Sequence, residues 1–243
     1  MNDIAERLTR AERDQTFANV VPRDAATLIL VDRSGPAPKV LLGRRHAGHK
    51  FMPGKFVFPG GRLEPTDKLM PTATVLDPHV EARLMRMVKR PTRARALGLA
   101  LAAIRETFEE TGLMLGQRSD KEVPTPGGPW AAFGEQRVLP DLASLHFVVR
   151  AITPPRRPKR FDARFFAADA SQIAHRVEGV VGPDAELTEL VWIPIAEAKR
   201  LDMPTITQVA LEELESRVAR GFAHDLPSPF YRMIQKKFVR VDL

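Results

Sequence analysis

Three carboxylates fall within five residues of one another in Arg105-Glu106-Thr107-Phe108-Glu109-Glu110-Thr111-Gly112-Leu113. On a helix, Glu106 and Glu110 are about one turn apart and Glu109 lies beside them, so all three share a face. Adjacent anions repel, and a helix gains nothing from that arrangement by itself. A divalent cation removes the penalty, because hard cations take carboxylate oxygens. The chemistry indicated is metal-assisted attack on an anionic substrate, with carboxylates holding metal and basic residues elsewhere holding substrate. Considered alone, the three glutamates could also be a solvated acidic helix face.

The flanking sequence has to build that helix and bring a partner to it. Thr92 can cap a helix over residues 93–111, and Leu97, Leu101, Ile104 and Phe108 form an apolar stripe nearly opposite the glutamates. Gly112 suits a left-handed helix end. Upstream, Phe56-Val57-Phe58 reads as a short strand running into Pro59-Gly60-Gly61, a turn whose backbone can approach a ligand closely. Before it, strands over 25–31 and from Val40 are joined by Ser34-Gly35-Pro36 as a hairpin, and a basic, irregular stretch fills 44–55. Residues 65–92 read as an inserted loop and helix, the helix opening at Asp77-Pro78. The proline- and glycine-rich 117–139 reads as a mobile loop, and 153–160 as a proline-stiffened basic loop. Further strands are expected at 145–152, 165–168 and 186–193, the last with Trp192 in the core. Helices are expected at 3–18, 195–201, 206–220 and 230–239. Hairpin-linked strands alternating with helices favour a mixed α/β sandwich over a doubly wound parallel sheet.

The chain has 243 residues and a formal charge of +7, a size that suits one large domain and a balance that favours anionic partners such as nucleotides. It has no cysteine, which excludes disulfides, cysteine nucleophiles and thiolate metal sites. No apolar run is long enough to span a bilayer, and residues 1–19 lack the apolar stretch of a secretory signal, so a cytoplasmic location is expected.

Arg105-Glu106-x-x-Glu109-Glu110-x-Gly112-Leu113 resembles the second half of the Nudix box, Gly-x5-Glu-x7-Arg-Glu-U-x-Glu-Glu-x-Gly-U, with Thr107 departing at an apolar U position. Gly60-Gly61 matches its start. An uninterrupted box would place the arginine 14 after Gly61, at 75; it stands at 105, so 30 residues intervene. Asp67 has the spacing of the first glutamate counted from Gly61, and Leu97 has it counted back from Arg105. The interrupted box is similar to the branch typified by the mammalian peroxisomal CoA diphosphatase. So are residues 51–61, 159–166, and the CoA-directed pattern at Leu41-Leu42-Gly43-Arg44-Arg45-His46-x3-Lys50-x3-Gly54-x3-Phe58-Pro59-Gly60-Gly61, where Gly43, His46 and Lys50 are substitutions.

The resemblance implies a Nudix-like α/β/α sandwich with mixed sheet over 24–221, a helical insertion in the box at about 65–92, an N-terminal segment 1–23 and a C-terminal helical extension 222–243. It implies that Gly61, Glu106, Glu109 and Glu110 hold Mg²⁺, with Mn²⁺ as an alternative, and that Arg105 orients a catalytic glutamate. Glu186 and Glu189 are the candidates for general base. Glu64 and Asp67 could touch metal but are better placed to cap a loop. Arg45, Lys50, Arg160 and Arg164 are the candidates for phosphate contacts. Phe51 and Met52 could line a pocket, and His46 and His49 lack the spacing of a zinc site. The expected reaction is hydrolysis of CoA or acyl-CoA to 3′,5′-ADP and a 4′-phosphopantetheine product. The alternatives are an ADP-ribose or dinucleotide pyrophosphatase, or a nucleotide- or RNA-binding module without turnover. Nucleic acid is not the expected partner; the resemblance implies a homodimer.

Overall fold

The computed structural model describes residues 3–11, 13–48 and 52–243. Its centre is a nine-stranded mixed sheet. The strands are β1 (Arg23–Asp32), β2 (Lys39–Arg45), β3 (Phe56–Val57), β4 (Gly60–Arg62), β5 (His146–Ile152), β6 (Phe161–Asp169), β7 (Leu187–Pro194), β8 (Pro229–Ile234) and β9 (Lys237–Asp242). The spatial order is β7-β2-β1-β6-β5-β8-β9, with β3 on β2 and β4 on β1. The helices are α1 (Asp3–Arg10), α2 (Pro78–Met85), α3 (Arg93–Thr111), α4 (Ala131–Glu135), α5 (Ile195–Ala198) and α6 (Thr205–Ala219).

Side-chain alternation along β1 makes the two cores. Ala26, Leu28 and Leu30 face α3, whereas Ile29 and Val31 face α1, α5 and α6. This is the α/β/α sandwich expected from the sequence. Parallel pairing of β1 with β6 sets Ala25 beside Ala163 and Thr27 beside Phe165. On the other edge of β1, β4 sets Gly61 beside Ala26 and Gly60 beside Thr27.

The helix over 93–111 forms as expected. Thr92 Oγ1 accepts from the Arg95 N–H at 3.2 Å, and Gly112 closes the helix at φ 76°. Its buried surface is wider than the stripe, taking in Ala96, Gly98, Leu99, Ala100, Ala102 and Ala103. The inserted segment supplies the extra cover: a Cβ on Gly98 would lie 2.8 Å from Lys68 Cγ.

Three expectations fail. Residues 230–239 are not a helix but most of the β8–β9 hairpin, with Phe230 packed in one core and Tyr231 in the other. That opposite-face placement is a two-residue period, and the turn was hidden because Gln235 and Lys236 take φ 48° and 67° without a glycine. Residues 117–139 are not a mobile loop: two-residue strands pair Gln117 with Leu139, and Trp130 and Phe133 are fully buried. Trp192 is 40% exposed on β7, an outer strand of the sheet, not in the core.

Candidate active site

The site lies where β4 passes under α3. A Cβ on Gly61 would meet Glu106 Oε1 at 2.3 Å, and one on Gly60 would meet Thr27 Oγ1 at 2.5 Å. Only glycines let this strand run between β1 and the acidic face of the helix.

Arg105 is buried behind that face. Its Nε donates to Asp67 Oδ1 at 2.7 Å, and its Nη2 donates to Asp67 Oδ2 at 3.1 Å and to the Arg62 carbonyl at 2.8 Å. Its Nη1 reaches Glu106 Oε1 at 2.9 Å and also Glu109 Oε2. Asp67, fully buried, further accepts from Trp130 Nε1 at 3.2 Å and the Glu64 N–H at 2.7 Å. The two spacings that competed for the first acidic position of the box therefore resolve: Asp67 pairs with Arg105, whereas Leu97 packs against the core. The intervening chain loops out after Asp67 and returns as α3, so the half-boxes meet through the buried Asp67–Arg105 pair, the Arg105 bond to the Arg62 carbonyl and the Gly60 backbone bond to Glu110.

Burial raises Glu106 to about 7, with the Arg105 charge pulling the other way. Glu110 is pushed well above the ordinary carboxylate range, first by burial, then by Glu186 and Glu106. Its Oε2 is buried without a hydrogen-bond partner. Across the cleft, Glu186 pairs with Arg45 at 2.9 Å. Among the described residues, no three acidic or imidazole side chains are already closed around a metal position. The donor chemistry nonetheless suits a hard divalent cation: Glu110 keeps an orphaned carboxylate oxygen, and burial and mutual repulsion hold the Glu106 and Glu110 carboxyls up against the pull of Arg105 and Arg45.

A cleft of about 1120 Å³ opens onto this end and is lined there by Gly60, Gly61, Glu106, Glu110, Arg45, His46, Met52 and Glu186. Glu109 turns its carboxylate to Arg105. Glu189 is not among the cleft residues and meets Arg44 at 3.5 Å on the exposed strand surface. Lys50, with His49 and Phe51, lies outside the described residues.

Two of the expected phosphate contacts are structural. Arg164 is fully buried and bound to Asp24 Oδ1 at 2.7 Å and the Asp162 carbonyl at 2.6 Å. Alternation along β6 sends Phe161, Ala163 and Phe165 to the cleft and Arg164 to the opposite face. Arg160 donates to Asn19 Oδ1 at 2.9 Å and to the Val20 and Thr153 carbonyls, tying the N-terminal segment to the sheet. Sequence reasoning missed Trp130, whose ring nitrogen helps fix Asp67; a lone tryptophan in a proline-rich run carried no signal of it.

No protein-family model matches the chain. Among solved structures, a Nudix hydrolase from Alicyclobacillus acidocaldarius is 26% identical over 79% of this chain and 90% of its own, with a TM-score of 0.58. Looser overlays include a Nudix hydrolase from M. smegmatis, RenU, at 17% identity, 84% and 91% coverage and a TM-score of 0.43. Another is the Nudix domain of Shewanella oneidensis NrtR complexed with ADP ribose, at 15%, 90%, 99% and 0.45 on the same measures; neither of these two bears on site or substrate. The chain shares the fold of the Alicyclobacillus Nudix hydrolase, and its box-like residues lie on that fold.

Proposed function

We propose that the chain is a divalent-metal-dependent diphosphatase that cleaves a nucleoside diphosphate linked to another group, with CoA or acyl-CoA as its substrate. The observation that carries the reading is the rejoined half-boxes: Asp67 fixes Arg105, Arg105 steers Glu106 and Glu109, and Glu110 is left with an unpartnered oxygen beside Gly60. Gly61, Glu106, Glu109 and Glu110 are the residues that would hold Mg²⁺ or Mn²⁺. When bound, the metal would neutralise charge on the diphosphate oxygens and favour ionisation of water.

Glu186 is the stronger of the two base candidates. It faces Glu110 across the cleft, and its contact with Arg45 holds it at the end where an attacking water would give up its proton. Arg45, at the same end, can bind a phosphate oxygen directly. The CoA assignment rests on the pattern from Leu41 to Gly61. Its departure at Gly43 has a packing reason, since a Cβ there would lie 2.4 Å from Leu187 Cδ1.

Product analysis with Mg²⁺ over CoA, acetyl-CoA, ADP-ribose and a diadenosine polyphosphate tests this. CoA is expected to yield 3′,5′-ADP and 4′-phosphopantetheine. Intact CoA alongside AMP released from ADP-ribose would refute the CoA reading, and no turnover of any compound would refute the enzymatic one.

A further inference from the structure

The cleft extends well beyond the acidic end, and its far end has a different chemistry. From the row that contains Thr27, Gly60 and Phe165 to the row that contains Arg23 and Phe161 is four residues along the strands. At ~3.3 Å per residue this is roughly 13 Å. The intervening wall is apolar, with Ala25, Ala163, Ile152 and Phe161. Beyond it stand Arg13, Arg157 and Lys159.

Arg13 and Arg157 come from opposite ends of the first 157 residues and are held together by design of the backbone. The Arg157 Nη1 donates to the Asp14 carbonyl at 2.8 Å, and the Gln15 side chain donates to the Pro155 carbonyl at 2.9 Å. The Phe17 N–H donates to the Arg156 carbonyl at 3.3 Å. Arg13 lies over the Phe238 ring, 5.3 Å from its centre, and donates to the Leu8 carbonyl. Burial, and then the Arg157 charge, push the Arg13 guanidinium below its ordinary value. Among the described residues no carboxylate forms an ion pair with either arginine; Asp14 lies near Arg157 but spends Oδ1 on the Thr16 N–H and hydroxyl. Two like charges are thus brought together at the end of a cleft. An anion would offset the two guanidinium charges.

We infer that Arg13 and Arg157, with Lys159 beside them, form a second anion subsite that takes a phosphate carried apart from the scissile diphosphate. It would make the enzyme select nucleotide diphosphates bearing an additional phosphate ester. The inference rests on the diphosphate reading above, because the acidic end must hold the bond that is cut. It also gives a function to the basic loop 153–160 and to the N-terminal segment that Arg160 ties down.

The test is calorimetric titration of the full chain in EDTA with two ligand pairs, each differing by one phosphate: CoA against dephospho-CoA, and NADP⁺ against NAD⁺. The phosphorylated member of at least one pair is expected to bind about tenfold tighter or more, and the advantage should drop below about threefold in Arg13→Gln/Arg157→Gln. Binding of the member without the phosphate should not change. Should the double variant not fold, as judged by its melting curve, each single variant must still lose part of the advantage, and Arg157→Lys must retain more of it than Arg157→Gln. Equal affinities within both pairs, or an advantage that survives the substitutions, overturn the subsite. Binding is read without turnover, so a chain that hydrolyses neither CoA nor dephospho-CoA defeats the proposed activity while these titrations still decide the subsite.

Discussion

The decisive residue is Asp67. It is shorter than the glutamate of the Nudix pattern, and it is fully buried, with two oxygens serving Arg105, Trp130 and the Glu64 N–H. A neutral residue there would leave a buried guanidinium with only partial compensation, a large penalty. The acidic triplet and its arginine were legible from spacing alone, but their unequal roles were not. Sequence shows three glutamates on one face; only the fold shows Glu109 turned to Arg105 and Glu110 buried without a partner for Oε2. That difference makes Glu110 the residue whose charge a metal most directly relieves. Glu110→Gln is expected to melt at the same temperature as the parent chain, or higher, in EDTA, since it removes a disfavoured buried charge. It should lose the rise in melting temperature that Mg²⁺ gives the parent, and turnover should fall by about a hundredfold or more. Thermal melts with and without Mg²⁺, beside the CoA assay, check this; an undiminished Mg²⁺ response in the variant would remove Glu110 from the metal set.

At the scale of elements, what sequence revealed follows the strength of local periodicity. α3 and β1 were legible because one has an apolar face bounded by a threonine cap and a glycine end, and the other a continuous apolar run. The β8–β9 hairpin was not, because its turn residues are Gln235 and Lys236 and its strands are buried in two different cores. Contacts between elements distant in sequence were invisible in the same way. Arg83 of α2 donates to the His224 and Asp225 carbonyls, pinning the inserted helix to the segment that leads into β8. There His224 stacks on His146 of β5, ring centres 3.9 Å apart and 5° from parallel. Burial, then His224 and nearby arginines, lower His146 to about 3, whereas the unfolded chain's histidine titrates near its ordinary 6.5. The unfolded state therefore takes up a proton that the folded state refuses. The stability from neutral His146 is complete above about pH 6.5 and is lost progressively as pH falls toward 3. At pH 5 the loss from this group is about 2 kcal/mol. Urea unfolding at pH 7.5 and pH 5 is expected to show a smaller acid loss in His146→Phe than in the parent chain, and an identical pH dependence would contradict the neutral buried assignment.

At the scale of the whole molecule, the two ends of the chain build one side of the cleft. The Thr9 hydroxyl accepts from the Phe238 N–H at 2.9 Å, joining α1 to β9, and Arg7 bonds Glu212 at 2.8 Å, joining α1 to α6. Leu8 and Phe238 then line the cleft together with Thr205 and Ile206 at the start of α6. The sequence marked residues 1–23 and 222–243 as segments outside a catalytic unit, and no local pattern could show that they meet. The acidic end is set instead by β4 against α3, where Gly61 lies directly under Glu106. Binding and chemistry should separate accordingly. Glu212→Ala loosens α1 without touching the carboxylates, and a half-exposed ion pair of this kind contributes roughly 0.2–1 kcal/mol. KM for the diphosphate substrate is expected to rise about two- to fivefold with kcat unchanged, the pattern of lost uniform binding. Steady-state kinetics on Glu212→Ala check it; a fall in kcat at constant KM would mean that the chain ends act on the chemical step and not on substrate capture.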